Sequence, residues 1–404
     1  MLTKPSVSNP EALKQQQVRA SEKWRQNGYT FQYISQCLRW VSRFYTYCMD
    51  RKVQPTNELT RKCTIRFIRS YSREHRIKED IVSRNALAAF SIWRKTLIEF
   101  GEQLPAWQCS PNSPEVDTIL FEYREWCRRH QGIKDSTLNV RCHFLGRFLL
   151  ILRRRVHNLN RARPTIDDID KYVTASKSKA PASISGACTA LRSFLRFQYA
   201  TGRTTQDMSL LVGSVRPNIV RPPRAVPWED VRRVLRSVDR RKPVGKRDYA
   251  MLLLMASYGL GRAEVAGLSI DEIDWHRRTL HIVRQKNKLE ILLPLSDAVA
   301  KAIALYLRHT RPPSRSRRIF LRMTPPYTPL TAGAISPIVR RHAAKVGVKA
   351  SPHMLRHSHA CRQVELNSPP KVISDILGHT NPESLSTYVS VTLNQLRQIC
   401  LPVP

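Results

Sequence analysis

Apolar residues recur at steps of three and four through most of the chain, which is the spacing of amphipathic α-helices. From Trp24 to Phe100 this pattern predicts a set of helices, whereas the polar residues 1–20 are predicted to be frayed. Residues 115–205 show the same kind of pattern, and aromatic and basic residues alternate in both segments, as in RWVSRFYTY and RSFLRFQY. The loose similarity of the two segments indicates diverged copies of one helical bundle.

Two proline-rich stretches interrupt the helical pattern, one near residues 105–114 and one at residues 206–226. After the second stretch, strand-like TLHIVR and LEILLPL flank QKNK and predict a β-hairpin in an otherwise helical region. We therefore predict a mainly α protein with one or two N-terminal helical bundles and a small β-hairpin sheet. The predicted division is a first bundle at 1–104, a second at 115–205, a basic linker at 206–226, and a last domain with a C-terminal tail at 227–404.

The stretch from His353 to Tyr388 concentrates reactive side chains at predicted helix ends. An apolar pattern that stops at Gly378 predicts a helix with its C-terminal cap, and the asparagine-proline pair that follows predicts the start of another. His353 and Arg356 are three residues apart, so they share one helical face. One guanidinium, two imidazoles and one phenol are thus presented together, which suits the binding of a phosphodiester while a tyrosine attacks it.

The net charge of the chain indicates its partner. The 404 residues include 68 Lys and Arg against 31 Asp and Glu, a formal charge of +37 that is spread along the whole length. Like charge at this density destabilises a compact protein unless a polyanion neutralises it. We expect a nucleic acid as the partner, with binding that weakens steeply as salt increases, and the alternatives are a ribosome-associated protein or a merely basic surface.

Cysteine usage and hydropathy limit the other classes of protein. The nine cysteines are scattered and never form C-x-x-C, which argues against a disulfide framework and against a zinc ribbon. The most apolar run, from Tyr249 to Leu260, is too short to span a bilayer, and the N-terminus has no apolar signal segment. We expect a soluble, cytoplasmic, nucleoid-associated protein that acts without a membrane and without a small-molecule substrate.

Three motifs in a fixed order carry a resemblance to a known family. They are H-x-x-R at His353 and Arg356, L-G-H ending at His379, and a tyrosine nine residues further on, Tyr388. With this order and spacing, the chain resembles the tyrosine recombinases and integrases, best from about Pro227 onwards. The resemblance implies a core-binding domain and a catalytic domain that close around DNA, and a homo- or hetero-tetramer on that DNA.

The resemblance also implies a role for each motif residue. Tyr388 would be the nucleophile that forms a 3′-phosphotyrosyl link, so that the energy of the broken bond is kept for rejoining. Arg356 would donate bidentate hydrogen bonds to the non-bridging phosphate oxygens. His353 and His379 would supply further donors or assist proton movement.

A lysine at the tip of the predicted hairpin would complete this set. Counted back from the LPL sequence that follows, Lys286 matches the hairpin lysine of the family, with Lys288 as the alternative. Its role would be general acid to the departing 5′ oxygen.

The first arginine of the family pattern is displaced here. The family has G-[any]-R-x-x-E, whereas YGLGRAEVAGL has Gly261 in the arginine position and Arg262 one residue later. In a regular helix this shift of about 100° would turn Arg262 away from Arg356, unless the neighbouring glycines loosen the start of the helix. We take Arg262 as the second phosphate ligand, with Arg284 or another arginine as its substitute. Glu264 would then be a buried acid that braces the arginines, or simply a residue of the first helical turn.

A metal site is the rival interpretation of the histidines. His353 and His357 are four residues apart, but the H-E-x-x-H pattern needs a glutamate, and here Arg356 stands between them and would repel a cation. We therefore predict neither a metal nor another cofactor.

The predicted function is a site-specific DNA recombinase or integrase, a DNA strand transferase, serving a bacterial mobile element as its transposase or integrase. Because the first arginine is displaced, a catalytically impaired DNA-binding relative that partners an active recombinase remains an alternative. A type IB topoisomerase-like enzyme is a second alternative, which would relax supercoils without preferring a site.

Overall fold

The computed structural model of the chain describes residues 10–108, 113–156, 158–159, 162–176, 181–213, 224–284 and 289–378. These residues form fifteen α-helices and one three-stranded antiparallel sheet, so the predicted mainly α fold with a small sheet is confirmed. In chain order the helices are α1 (Pro10–Gln26), α2 (Phe31–Met49), α3 (Arg61–Glu74), α4 (Glu79–Glu99), α5 (Pro114–Gln131), α6 (Asp135–Arg155), α7 (Ile166–Ser176), α8 (Pro181–Ala200), α9 (Trp228–Arg236), α10 (Pro243–Tyr258), α11 (Arg262–Gly267), α12 (Asp297–His309), α13 (Ala332–Ala344), α14 (Pro352–Glu365) and α15 (Pro370–Leu377).

The contacts of the chain divide it into two compact units. One comprises Met1–Pro55, Ile77–Glu102 and Val220–Pro404, and the other comprises Thr56–Arg76 and Gln103–Ile219. The four-part division predicted from the sequence stays a prediction. None of the helices described is both long enough and apolar enough to cross a membrane.

The N-terminal helices of the first unit pack through large aromatic side chains. Phe44 of α2 and Phe90 of α4 are buried and lie 5.0 Å apart between ring centroids. The expectation of a frayed N-terminus is wrong from residue 10 onwards, because α1 buries Ala20 and Trp24. The Trp24 indole also donates a 2.8 Å hydrogen bond to the Thr96 hydroxyl, which ties α1 to α4.

The second unit has a core of its own, built mainly from α5, α6, α7 and α8. Tyr123, Phe148 and Phe194 are fully buried there and meet edge to face. The Tyr123 hydroxyl donates to the Ser193 hydroxyl at 2.9 Å, so its buried polar atom is satisfied. The helical periodicity predicted for residues 115–205 therefore corresponds to one apolar core.

The part of the first unit that follows residue 224 is organised around α10, which packs against α12 and α14. Its sheet has the order β1 (Ile273–Asp274), β2 (Thr279–Val283) and β3 (Glu290–Pro294), all antiparallel. The predicted hairpin is present as β2 and β3, with His281 opposite Leu292 in the register. The two-residue strand β1 was not predicted, since it is too short to show an alternating pattern.

The chain enters this part through a contact with α14. The Ser358 hydroxyl accepts a hydrogen bond from Val226 N and donates one to Val226 O, both at 2.7 Å. Gly378 caps α15 in the left-handed conformation at φ 63°, as predicted from its position after the apolar pattern.

Candidate active site

Helix α14 presents His353 and Arg356 from its first two turns. The helix begins after Ser351, whose side chain accepts from the backbone N–H of Met354 at 3.3 Å, and Pro352 occupies the first helical position. His353 and Arg356 lie three residues apart, and both line one cavity of about 400 Å³. The sequence-based expectation that they share a face agrees with this placement.

The Arg356 guanidinium is held by neutral and charged acceptors. Its Nη1 donates to Gly259 O at 3.2 Å and lies 3.4 Å from Glu264 Oε2, and its Nη2 donates to Leu377 O. Two backbone carbonyls from the ends of α10 and α15 therefore set the orientation of the fork. Neither carbonyl carries a formal charge, so both leave the positive charge of Arg356 in place.

Gly259 is required where the chain turns from α10 toward this site. It caps α10 at φ 60°, in the left-handed region. A Cβ atom at this position would lie 2.9 Å from the His359 ring and 3.0 Å from the Leu377 side chain. The absence of a side chain allows α10, α14 and α15 to approach each other closely enough for Gly259 O to meet Arg356.

Glu264 receives three donors on one oxygen. Its Oε2 accepts from Gly261 N at 2.6 Å, pairs with Arg284 Nη1 at 2.7 Å and pairs with Arg356 Nη1 at 3.4 Å. Its side chain is 10% exposed, and that of Arg284 is 3% exposed. We call Glu264, Arg284 and Arg356 the Glu264 triad. Its net formal charge is +1, from two guanidiniums and one carboxylate.

Arg262 is not inside a regular helix, because α11 begins at Arg262 itself with Gly261 as its N-cap in an extended conformation. The argument that a one-residue shift turns the side chain away by about 100° assumes a continuous helix. Here Arg262 lines the same cavity as His353 and Arg356, and its Nη1 lies 3.3 Å from the Ser336 hydroxyl. Because α11 starts at Arg262 instead of containing Arg262 in its interior, the Arg262 side chain reaches the cavity.

Two cavity residues were missed by sequence reasoning, Ser336 and Arg340 of α13. They are four residues apart and therefore lie on one face of that helix, which is the signal that could have identified them. With Arg340, the cavity is lined by three arginines and one histidine. Such a concentration of donors and positive charge is suited to a phosphate group.

His353 is adjacent to a second imidazole. Its Nε2 lies 2.9 Å from Nε2 of His357, so one ring must donate and the other accept. Burial, and then the neighbouring Arg356 guanidinium, lower the pKa of His353 below the ordinary histidine value. A lowered pKa favours the neutral form of the His353 ring.

A buried histidine underlies the site. His359 is 3% exposed, and its Nδ1 lies 3.0 Å from Ala256 O. Burial lowers the pKa of His359, and the charges of Arg356 and Arg284 act in the same direction against a hydrogen bond that raises it.

Three of the predicted site residues, Lys286, His379 and Tyr388, lie outside the described residues, as does Lys288. Arg284 and Leu289, which flank the hairpin tip, are described, and Arg284 N donates to Leu289 O at 2.8 Å. Across the part of the chain that the structure describes, no three His, Cys, Asp or Glu side chains are grouped to hold a metal ion.

Comparison with known proteins identifies relatives of this chain. The phage integrase family matches residues 225–395. Integrase/recombinase y4rF of Sinorhizobium fredii is 30% identical over 294 residues, which cover 71% of this chain and 69% of that protein. Tyrosine recombinase XerD of Mycobacterium tuberculosis is 29% identical over 297 residues, covering 69% of this chain and 89% of that protein. A solved structure of the Tn1549 transposon integrase with transposon right end DNA has a TM-score of 0.53 at 16% identity, covers 69% of this chain and 97% of its own, and shows a shared fold.

Proposed function

The chain belongs to the phage integrase family of tyrosine recombinases and is a DNA strand-transferase enzyme by that membership, and we propose that it is a site-specific recombinase of a mobile element. It breaks and rejoins DNA strands through a 3′-phosphotyrosyl intermediate. The recognition of a site, the mobile-element role and the residues that act are the parts that we propose here.

The observation that carries the proposal is the convergence of Arg262, His353 and Arg356 on one cavity. A phosphodiester under attack gains negative charge on its non-bridging oxygens, and fixed donors stabilise that charge most where water is excluded. Arg356 and Arg262 would bind these oxygens from two sides, and His353 would add a third donor. This arrangement supports competence for cleavage despite the glycine at position 261.

The remaining roles belong to residues outside the described part of the chain. Tyr388 would attack the phosphorus and expel the 5′ oxygen, which leaves the 3′ phosphate on the tyrosine. Lys286 would give its proton to that departing oxygen. His379 would donate a further hydrogen bond to the phosphate. Each assignment follows from the motif spacing of the family.

We further propose double-stranded DNA as the substrate and a homo- or hetero-tetramer on DNA as the active assembly. The charge of +37 supports a polyanionic partner. The Tn1549 transposon integrase was solved in complex with DNA, and it shares the fold. Residues 115–205 would be the core-binding domain, residues 227–404 the catalytic domain, and residues 1–104 an additional bundle.

The test compares the wild-type protein with Tyr388→Phe on a nicked duplex that carries the sequences flanking the protein's own gene. A nick beside the cleavage site makes the released oligonucleotide, which carries the 5′ hydroxyl, short enough to diffuse away. The covalent adduct then accumulates and is detected on a denaturing gel. We expect an adduct with the wild type and none with Tyr388→Phe. Binding of both proteins to the same duplex, measured by gel shift, controls for folding.

The alternatives give different results in the same assay. A catalytically impaired relative would bind the duplex and form no adduct with either protein. A topoisomerase-like enzyme would form adducts on DNA of unrelated sequence and would relax a supercoiled plasmid. Either result would contradict the proposal.

A further inference from the structure

Helix α3 has one buried face and one strongly basic face. Phe67 and Ile68 are buried in the fold, whereas Lys62, Arg66 and Arg73 are exposed. At about 100° and 1.5 Å per residue, these three cations lie within about 40° of one another around the helix axis and extend about 17 Å along it. We call Lys62, Arg66 and Arg73 the α3 basic face.

The α3 basic face is not neutralised by acidic side chains. Across the residues that the structure describes, none of its three cations forms an ion pair. Exposed basic residues on other helices do form them, since Lys171 pairs with Asp167 in α7 at 2.6 Å and Arg232 pairs with Glu229 in α9 at 3.0 Å. The cations of α3 therefore face solvent without an ion-pair partner.

Local interactions within α3 leave this charge in place. The first turn contains Arg61 and Lys62 and no acidic residue, although the positive end of the helix dipole favours an acid there. Arg73 Nε donates to the uncharged carbonyl of Arg69 at 3.3 Å, and Glu74, the single acidic residue of α3, is the last residue of the helix. A bound anion would offset a repulsion that the helix itself does not relieve.

Helix α3 belongs to the same compact unit as α5, α6, α7 and α8. This unit comprises Thr56–Arg76 and Gln103–Ile219, whereas α1, α2 and α4 belong to the other unit. Arg61 N donates to Trp107 O at 2.6 Å, which joins the start of α3 to the segment that leads into α5. The α3 basic face is therefore part of the unit that contains the predicted core-binding helices.

We propose that the α3 basic face is a second DNA-binding site, which binds the phosphate backbone of a duplex apart from the cleavage cavity. This inference rests on the proposed function for its partner. It assigns a role to a helix that lies outside residues 225–395, to which the phage integrase family matches. Cations that contact phosphates carry no sequence information, so this contact adds affinity for DNA of any sequence.

The experiment varies the charge of the α3 basic face and measures DNA binding at several salt concentrations. One variant, Lys62→Gln/Arg66→Gln/Arg73→Gln, removes three positive charges, and a second, Lys62→Arg/Arg66→Lys/Arg73→Lys, keeps them. Fluorescence anisotropy gives the Kd for a duplex of unrelated sequence in increasing KCl. The slope of log affinity against log salt measures how many phosphates the protein neutralises.

The neutralised variant should lose about 2–3 from the magnitude of that slope, because each phosphate contact contributes about 0.9. Its Kd at physiological salt should rise by at least about tenfold. The charge-retaining variant should keep the wild-type slope, since phosphate attracts either cation. Adduct formation on the nicked duplex at saturating DNA should stay within about threefold of the wild-type rate in both variants, because none of the three residues lines the cavity.

The matched control neutralises three exposed basic residues that already have acidic partners. Its substitutions are Lys171→Gln, Arg232→Gln and Arg241→Gln, and each of these side chains is more than half exposed. The loss of net charge equals that of the neutralised α3 variant, so an effect of net charge alone would weaken binding equally. We expect the control to keep the wild-type slope, and the melting temperatures of all variants show that the fold is intact.

Three outcomes would overturn the inference. They are an unchanged slope in the neutralised α3 variant, an equal decrease in the control, and an equal decrease in the charge-retaining variant, which would indicate a defect in the helix. If the slope follows the charge of α3 but the wild type forms no adduct, the inference holds and the proposed function fails. If the adduct forms but the slope ignores α3, the proposed function holds and the α3 basic face is an ordinary solvated surface.

Discussion

Two acidic residues in the same unit each bind two arginines, and they differ in how fully those arginines are satisfied. Asp248 is completely buried, and its two oxygens receive directed hydrogen bonds from Arg247, Arg341 and His342 at 2.7 to 3.0 Å. All three nitrogen atoms described next to Glu264 lie against Oε2, at 2.6 to 3.4 Å, and the one from Arg284 forms an ion pair without a hydrogen bond.

The two carboxylates also differ in their surroundings. Both carboxylate oxygens of Asp248 accept hydrogen bonds, and although burial would raise the pKa of Asp248, the bonds from His342 and Arg247 hold it below the usual aspartate value. The Glu264 triad adjoins a cavity, and part of its hydrogen-bonding capacity is unused. Of the triad, Arg356 lines the cavity, whereas the unused donors belong to the buried Arg284, which does not line it.

The largest expected effect on stability comes from Asp248→Ala. It would leave the buried Arg247 guanidinium without its carboxylate, and the free energy of unfolding should fall by about 3–5 kcal/mol. Urea denaturation followed by circular dichroism measures the change. As a control, Asp271→Ala removes an exposed ion pair with Arg317 and should lower the free energy of unfolding far less. Similar losses in both variants would contradict a distinct role for the buried cluster.

The largest expected effect on activity comes from Arg356→Lys. A lysine keeps the charge but cannot donate a fork to two phosphate oxygens, so adduct formation should fall by about 100-fold or more. The melting temperature should fall less than that of Asp248→Ala. A substituted protein that cleaves at the wild-type rate would show that Arg356 does not contact the reacting phosphate.

A smaller effect is expected from Gly259→Ala. The left-handed backbone and the 2.9 Å approach to the His359 ring should together lower the free energy of unfolding by about 2–3 kcal/mol. Gly132 has a similar φ of 58° but open space around it, so Gly132→Ala should cost only about 1 kcal/mol. The difference in unfolding free energy between the two variants measures the steric effect of a Cβ at residue 259 on the His359 ring. Equal losses in both variants would contradict this effect.

The smallest expected effect concerns pH. Because the pKa of His359 is lowered in the folded protein, protons bind preferentially to the unfolded chain, so this contribution to stability is full above the ordinary pKa of about 6.5 and declines below it. His359→Asn keeps a donor for Ala256 O but cannot titrate. We expect it to reduce the loss of unfolding free energy between pH 7 and pH 5.5. An unchanged loss in His359→Asn would contradict this contribution.

Periodicity predicted most of the fold because most helices bury one apolar face. The apolar pattern of α2 and α4 and the flanks of the hairpin were sufficient for those elements. Helix α1 was missed because only Ala20 and Trp24 are buried in a polar sequence. Short elements and polar helices therefore depend on tertiary contacts that no local pattern contains.

The site was predictable where residues lie on one helix and not where they meet across elements. His353 and Arg356 follow from spacing within α14. The placement of Arg262 depended on where α11 begins, which propensity does not fix to one residue. The burial of Arg284 depends on Gly378, about ninety residues later in the chain, so the sequence offered Arg284 only as a substitute.

The paired contacts between Ser358 and Val226 have a consequence for dissecting this protein into parts. A C-terminal fragment that begins at residue 224 would keep the Val226 segment that contacts α14. A fragment that begins at residue 228 would lack Val226, which is buried, and would expose the Ser358 hydroxyl. The shorter fragment should be the less soluble of the two, although both contain every residue that lines the cavity. A C-terminal fragment should therefore begin a few residues before α9 rather than at its first residue.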